Sequence, residues 1–197
     1  CAAGSITNTG ASTGASTCTR CVVGKYSITS NVAACIACPA GEYAATDGSS
    51  ACKVCPAGSI TNTGSSTGAT TCTACAVGKY STASDVAACI SCAAGHYVEV
   101  TGSTKANDCA VCPQGSITNT GTSTGASICT KCAIGKYSTA SNMAACIACP
   151  ASKHAATDGS ATCAVCDAGE YQDGDGQGYC KVCVAGSKTD TGASAGA

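Results

Sequence analysis

The sequence has no tryptophan, phenylalanine or leucine and only one methionine, so it lacks the large apolar side chains that usually fill a protein core. Its apolar fraction of 45% consists mostly of alanine and cysteine, with 38 and 21 residues respectively. Burial of apolar surface stabilises a fold by about 25 cal/mol per Å², so each small alanine side chain contributes little. A conventional hydrophobic core is therefore excluded, and covalent links are expected to replace it.

Charged residues are also scarce. The formal net charge is −1 and arginine occurs once, which provides no basic surface for nucleic acid or for an anionic membrane. No run of 18 apolar residues is present, so no membrane-spanning segment is expected within the chain. We therefore expect no nucleic acid and no membrane as partners of this chain, and the repeats and the serine- and threonine-rich stretches described below favour self-association and glycans instead.

The residues that usually carry catalysis are few and scattered. The only histidines, His96 and His154, occupy different positions of the repeat described below, and no nucleophile–base pair can be assembled. We therefore expect no enzymatic activity, no catalytic residue, no metal site and no cofactor. The stretch DGDGQG resembles the start of a calcium loop at Asp173, Asp175 and Gly178, but its twelfth position is Val184 instead of glutamate, which favours a turn.

Cysteine is the residue that the sequence has in abundance. It accounts for more than a tenth of the chain, which is typical of a disulfide scaffold. Disulfides persist in oxidising compartments, so we expect an extracellular or cell-surface protein.

Cysteines recur as Cys-x-x-Cys pairs that are spaced 17 or 20 residues apart, and a fixed period of this size indicates a tandem array. The pairs are Cys18/Cys21, Cys35/Cys38, Cys52/Cys55, Cys72/Cys75, Cys89/Cys92, Cys109/Cys112, Cys129/Cys132, Cys146/Cys149, Cys163/Cys166 and Cys180/Cys183. Cys1 stands where the second cysteine of a further pair would be.

Each repeat reads C-x-x-G-x-[Y/I], followed by a stretch rich in serine, threonine and glycine. The glycine suits a turn with positive φ, and the residue two positions later is the largest side chain of the repeat. We predict that these residues are packing anchors: Ile6, Tyr26, Tyr43, Ile60, Tyr80, Tyr97, Ile117, Tyr137 and Tyr171. His154 stands at the same position and is expected to be a surface residue or a substitute for the anchor.

The sequence also has a longer period, in which blocks of three repeats recur. The string SITNTG returns at residues 5, 59 and 116, and GKYS returns at 24, 78 and 135. One continuous array is predicted, with blocks at approximately 1–54, 55–111 and 112–165 and a partial block at 166–197. We expect a piece of a longer repeat protein, since the sequence starts on Cys1 and its last residues fall within a repeat that opens at Cys183.

The predicted fold class is an elongated array of small disulfide-rich repeats. Short β-branched and aromatic segments such as KYSIT favour strands, and the TG and DG dipeptides favour turns. Each repeat is therefore expected to be a short β-hairpin or loop, with little regular secondary structure and no conventional core.

The simplest disulfide connectivity is serial, with the second cysteine of one pair bonded to the first cysteine of the next. This scheme pairs Cys1–Cys18, Cys21–Cys35, Cys38–Cys52, Cys55–Cys72, Cys75–Cys89, Cys92–Cys109, Cys112–Cys129, Cys132–Cys146, Cys149–Cys163 and Cys166–Cys180. Each such loop contributes about 3 kcal/mol in the chain-entropy model. A staggered connectivity stays open, because sequence alone does not fix the pairing.

Two other interpretations of the cysteine pairs exist. Four cysteines from two pairs have nearly the spacing of a zinc ribbon, but no pair has a unique partner, since each lies at similar distances from both neighbours. A redox-active pair needs one activated thiol, normally once per domain, and ten equivalent pairs do not fit that pattern.

The serine- and threonine-rich stretches are candidates for O-glycosylation, since their residues are small and clustered. The candidate acceptors are Thr7, Thr9, Thr13, Thr61, Thr63, Thr67, Thr118, Thr120 and Thr124. The alternative is that these hydroxyls bond to nearby backbone atoms in turns.

The repeat in CIACPAGEYAATDGSSACKVC (35–55) resembles the ephrin-receptor-like and growth-factor-receptor cysteine-rich repeats. Similar arrays occur in protist surface antigens and in mastigoneme or filament proteins, and the resemblance extends along essentially the whole chain. It implies an extracellular structural protein that forms or coats a filament or surface layer by self-association. The alternative is the stalk or ligand-binding ectodomain of a surface receptor or antigen. A metal-storage role is disfavoured by the long spacers between the pairs.

Overall fold

The computed structural model describes residues 1–190 and 196. Across these residues the fold consists of ten antiparallel two-stranded hairpins and one short 3-10 turn at Ala106–Asp108. The predicted class of small disulfide-rich hairpin repeats is confirmed. We number the repeats 1 to 10 from the N terminus, one hairpin to each.

Each hairpin pairs two strands that follow one another in the chain. The first strands are β1 (Ser5–Thr7), β3 (Lys25–Tyr26), β5 (Glu42–Tyr43), β7 (Ser59–Thr61), β9 (Lys79–Tyr80), β11 (His96–Tyr97), β13 (Ser116–Thr118), β15 (Lys136–Tyr137), β17 (Lys153–His154) and β19 (Glu170–Tyr171). The second strands are β2 (Cys18–Arg20), β4 (Ile36–Ala37), β6 (Lys53–Val54), β8 (Cys72–Ala74), β10 (Ile90–Ser91), β12 (Ala110–Val111), β14 (Cys129–Lys131), β16 (Ile147–Ala148), β18 (Ala164–Val165) and β20 (Lys181–Val182). The sheets are β1–β2, β3–β4 and so on to β19–β20.

The cysteine pattern determines where each hairpin begins and ends, as repeat 2 illustrates. In its register Lys25 pairs with Ala37 and Tyr26 with Ile36. The N–H of Cys38 donates to the carbonyl of Gly24 at 2.9 Å, which closes the open end of the hairpin. Because an isolated two-stranded hairpin is marginally stable in water, it depends on its disulfide and on its neighbours.

The chain folds into two compact units, which are described separately. Unit 1 comprises Cys1–Ile90 and Val100–Asp108, and unit 2 comprises Ser91–Glu99 and Cys109–Ala197. In both units the buried residues are mainly cysteines and small side chains. Among the described residues, no helical segment has the length and apolar character of a bilayer-crossing span.

Candidate functional site

The disulfides of the described residues are serial. Ten bonds join Cys1–Cys18, Cys21–Cys35, Cys38–Cys52, Cys55–Cys72, Cys75–Cys89, Cys92–Cys109, Cys112–Cys129, Cys132–Cys146, Cys149–Cys163 and Cys166–Cys180. Their Cα–Cα separations of 5.6–5.7 Å are those of ordinary disulfides. The staggered pairing is therefore not the one adopted, and sulfurs held in disulfides are not available as the thiolates that zinc requires.

One histidine lies against a disulfide. The Nδ1 of His154 is 3.1 Å from the Sγ of Cys180, and both groups lie near the Sγ of Cys166. Because Cys166 and Cys180 are bonded to each other, this cluster offers a metal only the imidazole. His154 is half-buried, as expected of a residue that replaces the tyrosine or isoleucine.

Adjacent repeats within each unit are joined mainly by backbone hydrogen bonds. In one recurring bond, a glycine N–H in the loop of one repeat donates to the carbonyl of the cysteine that opens the preceding repeat. Its donor and acceptor pairs, at 2.7–2.8 Å, are Gly48 to Cys21, Gly68 to Cys38, Gly102 to Cys75, Gly125 to Cys92, Gly159 to Cys132 and Gly176 to Cys149. The contact between repeats therefore depends little on which side chains they carry.

A second recurring bond explains where the core lies. In repeats 1 to 9, the residue that follows the anchor position donates its N–H to a loop carbonyl of the next repeat, as Ser27 does to Ser49 at 3.2 Å and Ala44 to Ala69 at 3.1 Å. Nine of the residues at this position are buried: Ser27, Ala44, Thr61, Ser81, Val98, Thr118, Ser138, Ala155 and Gln172. The close approach of two backbones leaves room mainly for small side chains there.

The expected packing anchors lie one position away from this buried site. Ile6, Tyr26, Tyr43, Ile60, Tyr80, Tyr97, Ile117, Tyr137 and Tyr171 are all half-buried. Strand alternation is the reason, because successive side chains point to opposite faces of a hairpin. The large residues flank the core, and the small residues after them fill it.

The glycine two residues before the expected anchor allows a positive φ and also a close approach of another backbone. Its φ is positive, as at Gly58 (+75°), and a Cβ on Gly58 would overlap the carbonyl oxygen of Gly102. Ser152 replaces this glycine in repeat 9 and is the only described non-glycine residue with positive φ, at 70°. The backbone conformation is therefore retained even where the glycine is absent.

The loops that contain SITNTG are held by asparagine, a residue to which the sequence pattern alone assigned no role. In the loop of repeat 4, the Oδ1 of Asn62 accepts from the N–H groups of Thr70 and Thr71 at 3.0 and 3.3 Å. Its Nδ2 donates to the Oγ1 of Thr70 at 3.1 Å. Asn8 and Asn119 make the equivalent bonds in repeats 1 and 7. The recurrence of asparagine at the same place in SITNTG was the available signal.

The nine expected O-glycan acceptors fall into three classes. Thr7, Thr61 and Thr118 donate their hydroxyls to glycine carbonyls at 2.6–3.0 Å, and Thr61 and Thr118 are only 2% and 1% exposed. Thr9, Thr63 and Thr120 are half-buried and donate to the carbonyls of Ser12, Ser66 and Ser123. Thr13, Thr67 and Thr124 are exposed.

Aspartates also act between repeats. The Oδ1 atoms of Asp47, Asp158 and Asp175 accept from the N–H groups of Val23, Ile134 and Ala151, each 24 residues earlier, at 2.9–3.0 Å. Asp173 pairs with Lys181 at 2.6 Å, and this hydrogen bond lowers the pKa of the carboxyl. Both carboxylates of the DGDGQG stretch are thus already engaged, which agrees with a turn.

Exposed aliphatic side chains recur on the second strands. They are Ile36, Val54, Ile90, Val111, Ile147, Val165 and Val182, with exposures from 42% to 72%. The repeats that contain SITNTG carry Thr19, Thr73 or Thr130 on the same strand instead. Each hydroxyl-rich repeat is therefore followed along the sequence by two or three repeats with an exposed aliphatic side chain.

A comparison with protein families matches residues 24–70, 63–109 and 154–197 to the family described as tyrosine-protein kinase ephrin type A/B receptor-like. A comparison with curated proteins finds no match. The matched segments make up more than half of the chain and confirm the resemblance seen in the repeat motif. Ten serial disulfides and these repeats are features of extracellular domains. The chain belongs to the ephrin type A/B receptor-like family of cysteine-rich repeats.

Proposed function

We propose that the chain is a structural extracellular repeat protein, which forms or coats a filament or a cell-surface layer through self-association. The observation that carries the proposal is the backbone bonding between repeats, in which the same donor and acceptor positions recur in both units. Repeats joined in this way are interchangeable, as the links of a structural array need to be. The proposal assigns the chain no catalytic activity and no cofactor.

The exposed aliphatic residues support contact between copies. Val54 and Val182 are 67% and 72% exposed, on short second strands of their hairpins. Exposed apolar patches mark interaction surfaces, whereas a single exposed apolar side chain is ordinary, so such a contact must use several of these positions at once. A second copy has the same spacing between these side chains, so it can match many of them at once.

Electron microscopy of native, unreduced protein tests the proposal. We expect filaments or sheets whose axial repeat matches one three-repeat block. Isolated, unassembled particles at high protein concentration would overturn it.

A matched pair of variants identifies the contact surface. Ile36→Ser, Ile90→Ser and Ile147→Ser together should reduce assembly in sedimentation experiments, because they remove exposed apolar area without changing the core. The control Thr19→Ser, Thr73→Ser and Thr130→Ser alters the same strand position in the other repeats and should assemble normally. Equal assembly of both variants would exclude the aliphatic positions as the contact.

A second candidate function is a stalk or ligand-binding ectodomain of a surface receptor or antigen. The family match favours it, since the matched family is named after receptors. Short, unassembled particles that bind a ligand at one end would support this function over the structural one.

A further inference from the structure

We propose that O-linked sugars are attached at three defined crests, one in each loop that contains SITNTG, and not at the buried threonine hydroxyls of those loops. The crests are residues 11–13, 65–67 and 122–124, and their acceptors are Ser12, Thr13, Ser65, Ser66, Thr67, Thr122, Ser123 and Thr124. This inference adds the attachment sites to the structural role proposed above, and its test is independent of filament formation.

The crest hydroxyls are accessible from solvent. All eight crest residues are exposed, and none of their hydroxyls has a hydrogen-bond partner within the described residues. In contrast, the hydroxyl of Thr61 is buried and donates to the carbonyl of Gly64 at 2.7 Å. A glycosyltransferase needs a hydroxyl that can enter its active site as a nucleophile, so the crests qualify and Thr61 does not.

Hydrogen bonds fix the backbone on both sides of each crest. Asn62 holds the returning strand of its loop, and Thr61 and Thr63 hold the ascending part through hydroxyl bonds to Gly64 and Ser66. Because these bonds fix the backbone on either side, the crest is presented outward without contributing its own side chains to the fold.

The crests retain hydroxyls that the fold does not use. Eight of the nine crest positions carry serine or threonine, with Ala11 as the exception, in a chain that has 37 further alanines, some of them in the core. Alanine would satisfy the structure at every crest position. A chemical use of the hydroxyl explains why three separate loops retain it.

The attachment step is an ordinary glycosyl transfer from a nucleotide-activated sugar. The crest hydroxyl oxygen bonds to the anomeric carbon as the bond from that carbon to the nucleoside diphosphate breaks. The hydroxyl proton passes to a base of the transferase, and the nucleoside diphosphate leaves. The loops 5–17, 59–71 and 116–128 contain no charged side chain, so attached sugars would hydrate a surface that otherwise has only neutral groups.

The experiment compares folded and reduced chain as substrates for a peptide O-N-acetylgalactosaminyltransferase with UDP-N-acetylgalactosamine. Residues 54–79 contain no internal lysine or arginine, so Thr61 and its crest lie in one tryptic peptide, and electron-transfer fragmentation must locate the sugar. In the folded chain we expect at least about tenfold more sugar on the crests than on Thr61 or Thr118, since buried hydroxyls react only through local opening. After reduction and alkylation, Thr61 and Thr118 should become acceptors as well.

Matched variants complete the test. Ser65→Ala, Ser66→Ala and Thr67→Val together should abolish labelling of repeat 4 only, whereas Thr82→Val, which removes an exposed hydroxyl in repeat 5, should leave total labelling unchanged. An unlabelled crest, a labelled Thr61 in the folded chain, or a loss of labelling in Thr82→Val would each overturn the assignment. Protein from its native source that lacks sugar at all three crests would also overturn it, and would leave the filament proposal standing.

Discussion

Gly58 and Gly102 lie so close together that a Cβ on Gly58 would overlap the carbonyl oxygen of Gly102, although 44 residues separate them in the chain. The same relationship joins Gly4 to Gly48 and Gly115 to Gly159. A repeat therefore meets the second repeat after it, as well as its immediate neighbour, through the backbone.

Gly58→Ala should destabilise unit 1 locally. The positive φ alone costs about 1–2 kcal/mol for a residue with a Cβ, and the overlap with Gly102 adds to this cost. Amide hydrogen exchange of Gly102, whose N–H bonds to the carbonyl of Cys75, reports the loss. Gly169→Ala is the control, because Gly169 has φ +84° and no atom of the described residues lies within 4 Å of the place its Cβ would take, so the variant carries the conformational cost alone. Equal losses in the two variants would show that the close approach contributes nothing.

Ser152→Gly should stabilise repeat 9. Ser152 has φ 70°, and glycine adopts this conformation without the steric cost, so we expect a gain of about 1 kcal/mol. The N–H of Cys166 donates to the carbonyl of Ser152 at 3.0 Å, so its exchange should slow in the variant. Ser152→Ala serves as the control and should bring no gain. Faster exchange in Ser152→Gly would contradict the prediction.

Asn62→Ala should loosen the loop of repeat 4. The substitution removes the acceptor for two backbone N–H groups, at a cost of about 1–2 kcal/mol. We expect faster exchange at Thr70 and Thr71 and faster proteolysis between residues 62 and 71. Asn62→Asp keeps the acceptor oxygen and should preserve most of the protection. A loop that resists protease equally in Asn62→Ala would show that the asparagine does not hold it.

Removal of one disulfide should have only a local effect. The double variant Cys38→Ala, Cys52→Ala removes a disulfide between cysteines that are 14 residues apart. In the chain-entropy model, this disulfide contributes about 3 kcal/mol to the free energy of unfolding. Because each repeat contacts its immediate neighbours and the second repeat on either side, exchange should accelerate in repeats 1 to 5 and stay unchanged in repeats 8 and 9. Cooperative loss of protection along the whole chain would contradict a modular array.

The turn at residues 104–108 should lose stability at low pH. The backbone N–H of Thr104 bonds to the carboxylate of Asp108 and lowers the pKa of that carboxyl, with help from the N–H of Lys105. A lowered folded pKa means that the stabilisation is present above the ordinary pKa of aspartate, near 4, and is lost as the pH falls through the folded value. The amide exchange of Thr104 and Lys105, corrected for its intrinsic pH dependence, should show this loss. In Asp108→Asn the turn should show no such dependence, and a persistent acid transition there would assign it to another group.

The sequence was sufficient for the features that depend on local spacing. The pairing of Cys21 with Cys35 was the simplest consequence of evenly spaced cysteines, and the positive φ of Gly24 followed from its place before the tyrosine. The burial of Ser27 beside a half-buried Tyr26 was not predicted, because size was taken as the sign of the core. Burial at Ser27 is decided instead by a hydrogen bond to Ser49 in the next repeat, which no local pattern contains.

The loops likewise contain one threonine whose exposure was expected from the sequence and one whose burial was not. Exposure of Thr67 was expected from its polar neighbours, and the structure places it on the surface. Thr61 has an equally polar neighbourhood but is buried, because its N–H bonds to the carbonyl of Ser84 in the next repeat and its hydroxyl donates to the carbonyl of Gly64. Sequence reasoning treats the two threonines alike, since the difference arises from the contact between folded repeats.

The contacts between repeats are made largely by main-chain atoms, and this has a consequence for how the array can change over time. A copied repeat brings its own glycine, cysteines and loop N–H groups, so it fits any neighbour at once. Substitutions at Val54, Lys25 or Thr67 alter what the surface offers without disturbing the fit between repeats. Duplication can thus set the length of such a protein while point mutation independently sets its adhesive and hydrated regions.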